Sequence, residues 1–154
     1  MRRYYSLPEN RWFGKSTLQD YALVGHVFLK AASRFNNPRY RDLAQRSVQA
    51  AIDSFFDQDK QIFIDPSFGL ADDVEYLMEM NGLLAQTMME LEDQESGRYA
   101  NLVSALMTYF SHMDEIFEDR LWEANNWEFT ERYVPYLKAV DRFLMRRTVA
   151  KSSR

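Results

Sequence analysis

Asn37-Pro38-Arg39-Tyr40-Arg41-Asp42-Leu43-Ala44 is echoed 59 residues later by Ser96-Gly97-Arg98-Tyr99-Ala100-Asn101-Leu102-Val103. Each copy lies between two long segments of helical apolar spacing, in the turn and the first residues of the second segment. A period of this length belongs to a repeated supersecondary unit, and the unit here reads as a helical hairpin. The fold class that follows is all-α, with about five main helices in antiparallel hairpins.

Working outward, the first helix is expected to open at Ser16, where Ser16-Thr17-Leu18-Gln19 fits a capping box. Leu18, Tyr21, Ala22, Gly25, Phe28, Leu29 and Ala32 then follow the i, i+3, i+4, i+7 rule. Only His26 and Lys30 are polar between Tyr21 and Ala32, so this helix is expected to be buried on several sides. The second helix, 38–56, begins on a proline, which loses nothing in a first turn. It is two-faced, with Tyr40, Ala44, Ser47, Ala51 and Phe55 on the apolar side. A third helix is expected over 72–92, a fourth over 97–118 and a fifth over 131–147. The fifth is read on Tyr133, Leu137, Val140 and Leu144, with Pro135 tolerable only in its first turn. Gln61-Ile62-Phe63-Ile64 reads as a very short strand.

Turns within the hairpins are short, whereas the lead-in 4–15 and the links 57–71 and 118–130 are longer. In an up-down array those three segments share one end. Trp12, Trp122 and Trp127 all fall in them, with Phe13, Phe63 and Phe68. Binding residues concentrate on such loops, so this end is where a site is expected.

Composition narrows the field. At 154 residues the chain is one domain by size, and 46% hydrophobic residues suffice for a core. Cysteine is absent, which removes disulfides, thiolate metal sites and a cysteine nucleophile. The N-terminus has charge without an apolar core, unlike a signal peptide, and no stretch is apolar for the length of a membrane span. A cytoplasmic protein is the expectation. Net charge is −4, distributed as +3 over residues 1–15, +5 over 138–154 and −12 between them. The basic end suits a helix C-terminus, and the acidic body disfavours nucleic acid as a partner.

Successive hairpins, alternately buried and amphipathic, describe an arc of an (α/α) toroid. Leu18-Gln19-Asp20-Tyr21-Ala22, with Leu29 and the Asn37-Pro38-Arg39-Tyr40 turn, resembles the six-hairpin glycosidase-like helical domain. The nearest likeness is to that domain in bacterial thioredoxin-domain proteins of the spermatogenesis-associated type. It covers roughly residues 16–117, and its motifs are shared with epimerases and glycosidases. Five helices supply about two and a half of the six hairpins of a closed ring, and there is no Cys-x-x-Cys. The resemblance implies a carbohydrate-related site at the funnel end, with acid and base carboxylates there.

The catalytic candidates on that reading are Asp20, Asp73 and Glu75, at the starts of helices one and three. Two carboxylates across a cleft are the minimum for glycoside hydrolysis, but acidic residues in a first turn also cap amides and suit the dipole, which is the stronger reading. Asp72-Asp73 with Glu75 is a poor metal-diphosphate motif without a facing partner. Trp12, Trp122 and Trp127, with Asn125 and Asn126, combine flat apolar rings with amide hydrogen bonds, as a sugar-binding face does. The same rings would equally plug the bundle or seat a partner. His26 reads as a core histidine. His112 beside Asp114 and Glu115 is too sparse for a metal site, and no cofactor motif is present.

The expected organisation is an aromatic lead-in over 1–15, a hairpin domain over 16–147 and a flexible basic tail over 148–154. The expected function is a non-catalytic interaction or ligand-binding domain related to six-hairpin toroids. The alternative is a carbohydrate-active enzyme, of glycoside hydrolase or sugar epimerase type, or part of one, acting at the Trp-rich end. Self-association or a partner domain is expected to cover helix one or helix five, whose outer faces an incomplete ring leaves open.

Overall fold

The computed structural model describes residues 4–6, 8, 11–66, 74–92, 97–123 and 127–152, with side chains described for 8, 14–66, 77–92, 97–111 and 134–146. It is all-α in class, with helices α1 (Leu18–Phe35), α2 (Pro38–Phe55), α3 (Val74–Glu92), α4 (Ala100–Glu123) and α5 (Trp127–Ser152). Two short antiparallel ribbons accompany them. In one, β1 (Tyr4–Ser6) pairs with β2 (Arg11–Phe13), Tyr5 opposite Trp12. In the other, β3 (Phe56–Asp57) pairs with β4 (Ile62–Phe63), Phe56 opposite Phe63. The short strand expected near residue 62 is therefore present, as half of a hairpin.

The first helix starts one residue later than its sequence suggests. The capping box is Thr17 with Asp20, not Ser16 with Gln19: the Asp20 amide donates to Thr17 Oγ1 at 3.2 Å, and the Thr17 amide to Asp20 Oδ2 at 2.8 Å. A carboxylate in the third position accepts more strongly than the Gln19 amide would. A further orphan amide, that of Leu18, donates to Oδ2 of the fully buried Asp65 at 2.8 Å. That bond joins the start of α1 to the segment after β4. The helix ends on Asn36, held at φ 48°, a left-handed position that asparagine tolerates. Asn37 then caps α2, its side chain accepting from the Arg39 amide at 3.0 Å, with Pro38 in the first position.

Small residues bring α1 and α2 together. Gly25 of α1 lies against Ala44 and Ser47 of α2, Ala22 and Ala51 are fully buried, and the Ser47 hydroxyl donates to the Tyr21 carbonyl at 2.9 Å. This is the expected apolar side of α2. The two repeat tyrosines are placed differently. Tyr40, in the first turn of α2, is half-buried and stacks on Phe28 at 5.9 Å. Tyr99 stands just ahead of α4 and is 1% exposed, its amide held by Glu92 Oε2 at 2.7 Å. Both residues mark a turn-to-helix junction, but they do not occupy equivalent packing positions.

The deeply buried helix is α3, not α1. Every residue from Met80 to Met89 is buried, and α3 packs against α1, α2, α4, α5 and β4. In contrast, α1 buries Leu18, Tyr21, Ala22, Gly25 and Leu29 and leaves Leu23, Val27 and Phe35 exposed. The polar residues within this buried stretch of α3 are satisfied internally. Asn81 accepts from the Phe63 amide at 2.8 Å and donates to the Phe63 carbonyl at 2.9 Å and the Leu77 carbonyl at 2.8 Å. Thr87 donates to the Leu83 carbonyl at 2.8 Å.

The second half also departs from a simple run of hairpins. The stretch 118–130 is not a long link: α4 continues to Glu123 and α5 begins at Trp127. Pro135 therefore lies well inside α5 rather than in a first turn, and α5 runs to Ser152, through much of the stretch read as a tail. The side of α5 that meets α3 carries Tyr136 and Ala139, whereas Leu137 and Leu144, read from the sequence as core, are each 56% exposed. Close approach of the two backbones explains the choice of side. A Cβ on Gly82 of α3 would lie 2.6 Å from the Tyr136 nitrogen and 2.8 Å from the Pro135 carbonyl carbon. Gln86 donates to the Pro135 carbonyl at 2.6 Å beside it.

Two glycine substitutions separate this contact from ordinary helix propensity. Gly25 has room for a Cβ, with its nearest neighbours at 3.6–3.7 Å, so Gly25→Ala is expected to be neutral or to stabilise by up to about 1 kcal/mol. Gly82→Ala must push α5 off α3 and is expected to destabilise by about 1–3 kcal/mol. Urea midpoints of the two variants check the contrast.

Candidate functional site

The structure distributes the sequence-derived candidates unevenly. Asp20 is the third-position partner of the α1 capping box. Asp73, Asn125 and Asn126 lie outside the described residues. Glu75 is in the first turn of α3, Trp12 in β2, Trp122 in the last turn of α4 and Trp127 at the start of α5, and the side chains of these four are likewise outside them. Trp122 and Trp127 thus stand at facing ends of consecutive helices. Among the described residues, no group of three His, Cys, Asp or Glu is placed to hold a metal ion, and no helix is long and apolar enough to cross a membrane.

The more strongly held described carboxylates organise the fold. Asp65 holds the α1 amide already described. Glu92, ending α3, accepts from the Gly97 and Tyr99 amides and so covers the start of α4. Glu90 accepts at one oxygen, Oε1, from Lys30 of α1 and from Arg142 of α5, each at 2.7 Å. Burial pushes the Glu90 carboxyl up, but the hydrogen bonds and charges of Lys30 and Arg142 outweigh it and hold the group below its ordinary value. One turn further along α5, Arg146 donates to the Met89 carbonyl at 2.7 Å, while Arg41 of α2 donates to the Leu91 carbonyl at 2.6 Å. The carbonyls at the end of α3 are thereby closed by arginines from two different helices, which also oppose the dipole favourably.

His26 lies at the same junction. Its Nδ1 is buried and has no hydrogen-bond partner among the described residues. Burial lowers its pKa first and Lys30 lowers it further; Glu90 pulls the other way, and Lys138 adds a smaller lowering. The ring is therefore held neutral in a cationic neighbourhood. His26 is thus half-buried at the edge of the core, and the hydrogen bond expected of a core histidine is not made at Nδ1 among the described residues.

Among the described residues, one apolar surface groove lies between α4 and α5. It encloses ≈ 340 Å³ and is floored by Met107, Phe110, Tyr136, Val140 and Phe143. The Phe110 and Tyr136 rings meet edge-on at 4.8 Å. Ser104, Thr108 and Ser111 form the α4 wall. Thr108 donates to the Ser104 carbonyl at 3.0 Å and Ser111 to the Thr108 carbonyl at 2.8 Å, so both turn their protons inward to their own helix. Leu144 forms the opposite lip and continues onto the outer face of α5, where Val134, Leu137 and Met145 are 37%, 56% and 62% exposed. The sequence carried a signal for this surface: Tyr136, Ala139 and Phe143 define one side of α5, and Val134, Leu137 and Leu144 define the other. A helix with two apolar sides needs two partners, and α3 is only one of them.

Comparison with protein-family models, with curated proteins and with solved structures gave no match.

The junction has a pH signature. Because the folded-state pKa of His26 is lowered from 6.5, the unfolded chain binds the proton more readily. Its contribution to stability is present above the unfolded pKa and is lost as pH falls below it. Denaturant unfolding between pH 8 and pH 5, in the range around the ordinary histidine value, is expected to show declining stability. His26→Gln is expected to flatten that decline, and an unchanged slope in the variant would remove His26 as its source.

Proposed function

We propose that this chain is a non-catalytic helical interaction module that presents the outer face of α5, with the adjoining α4/α5 groove, to a protein partner. One observation carries the reading. All large apolar side chains exposed among the described residues lie on α1 or α5: Leu23, Val27 and Phe35 on the first, Val134, Leu137, Leu144 and Met145 on the second. Those of α5 form one stripe beside an apolar groove. Scattered exposed leucines need no explanation, but four large apolar side chains exposed on one side of a single helix, around the pair Lys138 and Asp141, mark an interface more readily than chance exposure does. Aromatic and methionine side chains, which floor the groove, are enriched in such interfaces. Asp20, Asp65, Glu90 and Glu92 are committed to amides and cations, which favours binding over acid–base chemistry as the role of this domain. A relation to six-hairpin toroids rests on the sequence resemblance of the α1–α4 stretch.

A photo-reactive phenylalanine analogue in place of Leu137, expressed in the cells that make the protein, tests this directly. A discrete covalent adduct identified by mass spectrometry is expected at 137, and none from the same analogue at Gln49 on α2. Absence of any adduct at 137, with a folded protein, would contradict the reading.

A further inference from the structure

The occupant of the α5 face can be specified from the order of residues along it. With the α3-facing side of α5 defined by Tyr136 and Ala139, the 100° step of a helix places Val134, Leu137, Lys138, Asp141, Leu144 and Met145 within one arc on the opposite side. All six are exposed. Lys138 and Asp141 carry the only charges in this arc, and neither makes an ion pair among the described residues. The arc is thus an apolar seam with one cation and one anion near its middle, three residues apart.

Resting on the interaction-module reading, we propose that α5 pairs antiparallel with α5 of a second copy of this chain, about a two-fold axis level with the Ala139–Val140 peptide. That single register satisfies the whole seam. It sets Lys138 level with the partner's Asp141 and, by symmetry, Asp141 level with the partner's Lys138. It also sets Val134 level with the partner's Met145 and leaves Leu137 about 3 Å along the axis from the level of the partner's Leu144. A two-fold interface requires a self-complementary patch, and this one is self-complementary in charge and in apolar volume. A parallel pair would instead set Asp141 against the partner's Asp141 and Lys138 against the partner's Lys138, a like-charge arrangement that selects against it. The junction of Glu90 with Arg142, and of Met89 with Arg146, fixes α5 from the α3 side. The seam is therefore held on a rigid support.

The absence of cysteine makes the register testable by oxidation. The double variant Val134→Cys/Met145→Cys is expected to form a disulfide-linked dimer on mild oxidation. Each single variant is expected to remain uncrosslinked, because its symmetry mate lies eleven residues, about 16 Å, along the seam and a disulfide needs Cα atoms within about 7 Å. Sedimentation of the unmodified chain at tens of micromolar is expected to show a dimer. Asp141→Lys is expected to weaken it about tenfold, and adding Lys138→Asp to restore it. These residues are exposed, so circular dichroism should show all variants folded. Crosslinking of the single variants, failure of the charge exchange to restore the dimer, or a monomeric parent chain would each overturn the proposal. A monomeric parent that still gives an adduct from position 137 with another protein would overturn self-pairing alone and leave the interaction-module reading standing.

Discussion

A helix buried all round must satisfy each of its polar side chains inside the protein, because water is not available to do so. From Met80 to Met89, α3 is such a helix, and it contains Asn81, Gln86 and Thr87. Each of the three is answered by backbone groups, and two of the three side chains, Asn81 and Gln86, reach other elements. Asn81 holds both the amide and the carbonyl of Phe63, so the β3–β4 ribbon is fixed to the middle of the domain. Gln86 holds the carbonyl of Pro135, so α5 is fixed to the opposite side. Removing the Asn81 side chain would strand the buried amide and carbonyl of Phe63, at a cost of about 1–3 kcal/mol each. From the Phe63 anchor the chain reaches Asp65, which caps α1 at Leu18. The placement of the first helix therefore also traces back to α3.

The same constraint explains how the surface of the domain is divided. Between Gly82 and the Pro135–Tyr136 backbone there is no room for even one methyl group, so α5 is brought close to α3 along one side. Salt bridges and arginine caps at the C-terminal end of α3 then fix its rotation. A helix fixed so firmly on one side displays whatever its other side carries, and that side is apolar at Val134, Leu137, Leu144 and Met145. The exposed face is thus a consequence of the packing. It is not a loosely held segment.

Much of the architecture could be read from the residues, and the failures have physical causes. Helical spacing located all five helices, because a 3.6-residue period persists whatever the helix packs against. The proline of α2 and the turn at Asn36-Asn37 were equally plain, since capping is a local matter. Burial was not local. The apolar run from Tyr21 to Ala32 marked α1 as buried on several sides, yet Leu23 and Val27 are exposed, and nothing local in α3 shows that Asn81, Gln86 and Thr87 are buried as well. The burial of Asn81 and Gln86 becomes intelligible only with their partners in β4 and α5. The supposed link at 118–130 misled for a related reason: its Trp, Asn and Glu residues resemble a loop in composition, yet Trp122 and Trp127 continue helices. The candidate site was least legible. The repeated Arg-Tyr motif marked two helix starts and no chemistry, and the tryptophans of the aromatic end pointed away from the apolar seam of α5, whose exposed residues are Val134, Leu137, Leu144 and Met145. That seam becomes visible only when Tyr136 and Ala139 are known to face α3.

Amide hydrogen exchange under native conditions tests the central position of α3 most directly, because protection reports the opening free energy of each segment. The account predicts that the amides from Asn81 to Met89 exchange only through global unfolding, while those on the outer turns of α1 around Val27 exchange through smaller openings. Exchange of the α3 amides ahead of those of α1 and α2 would contradict it.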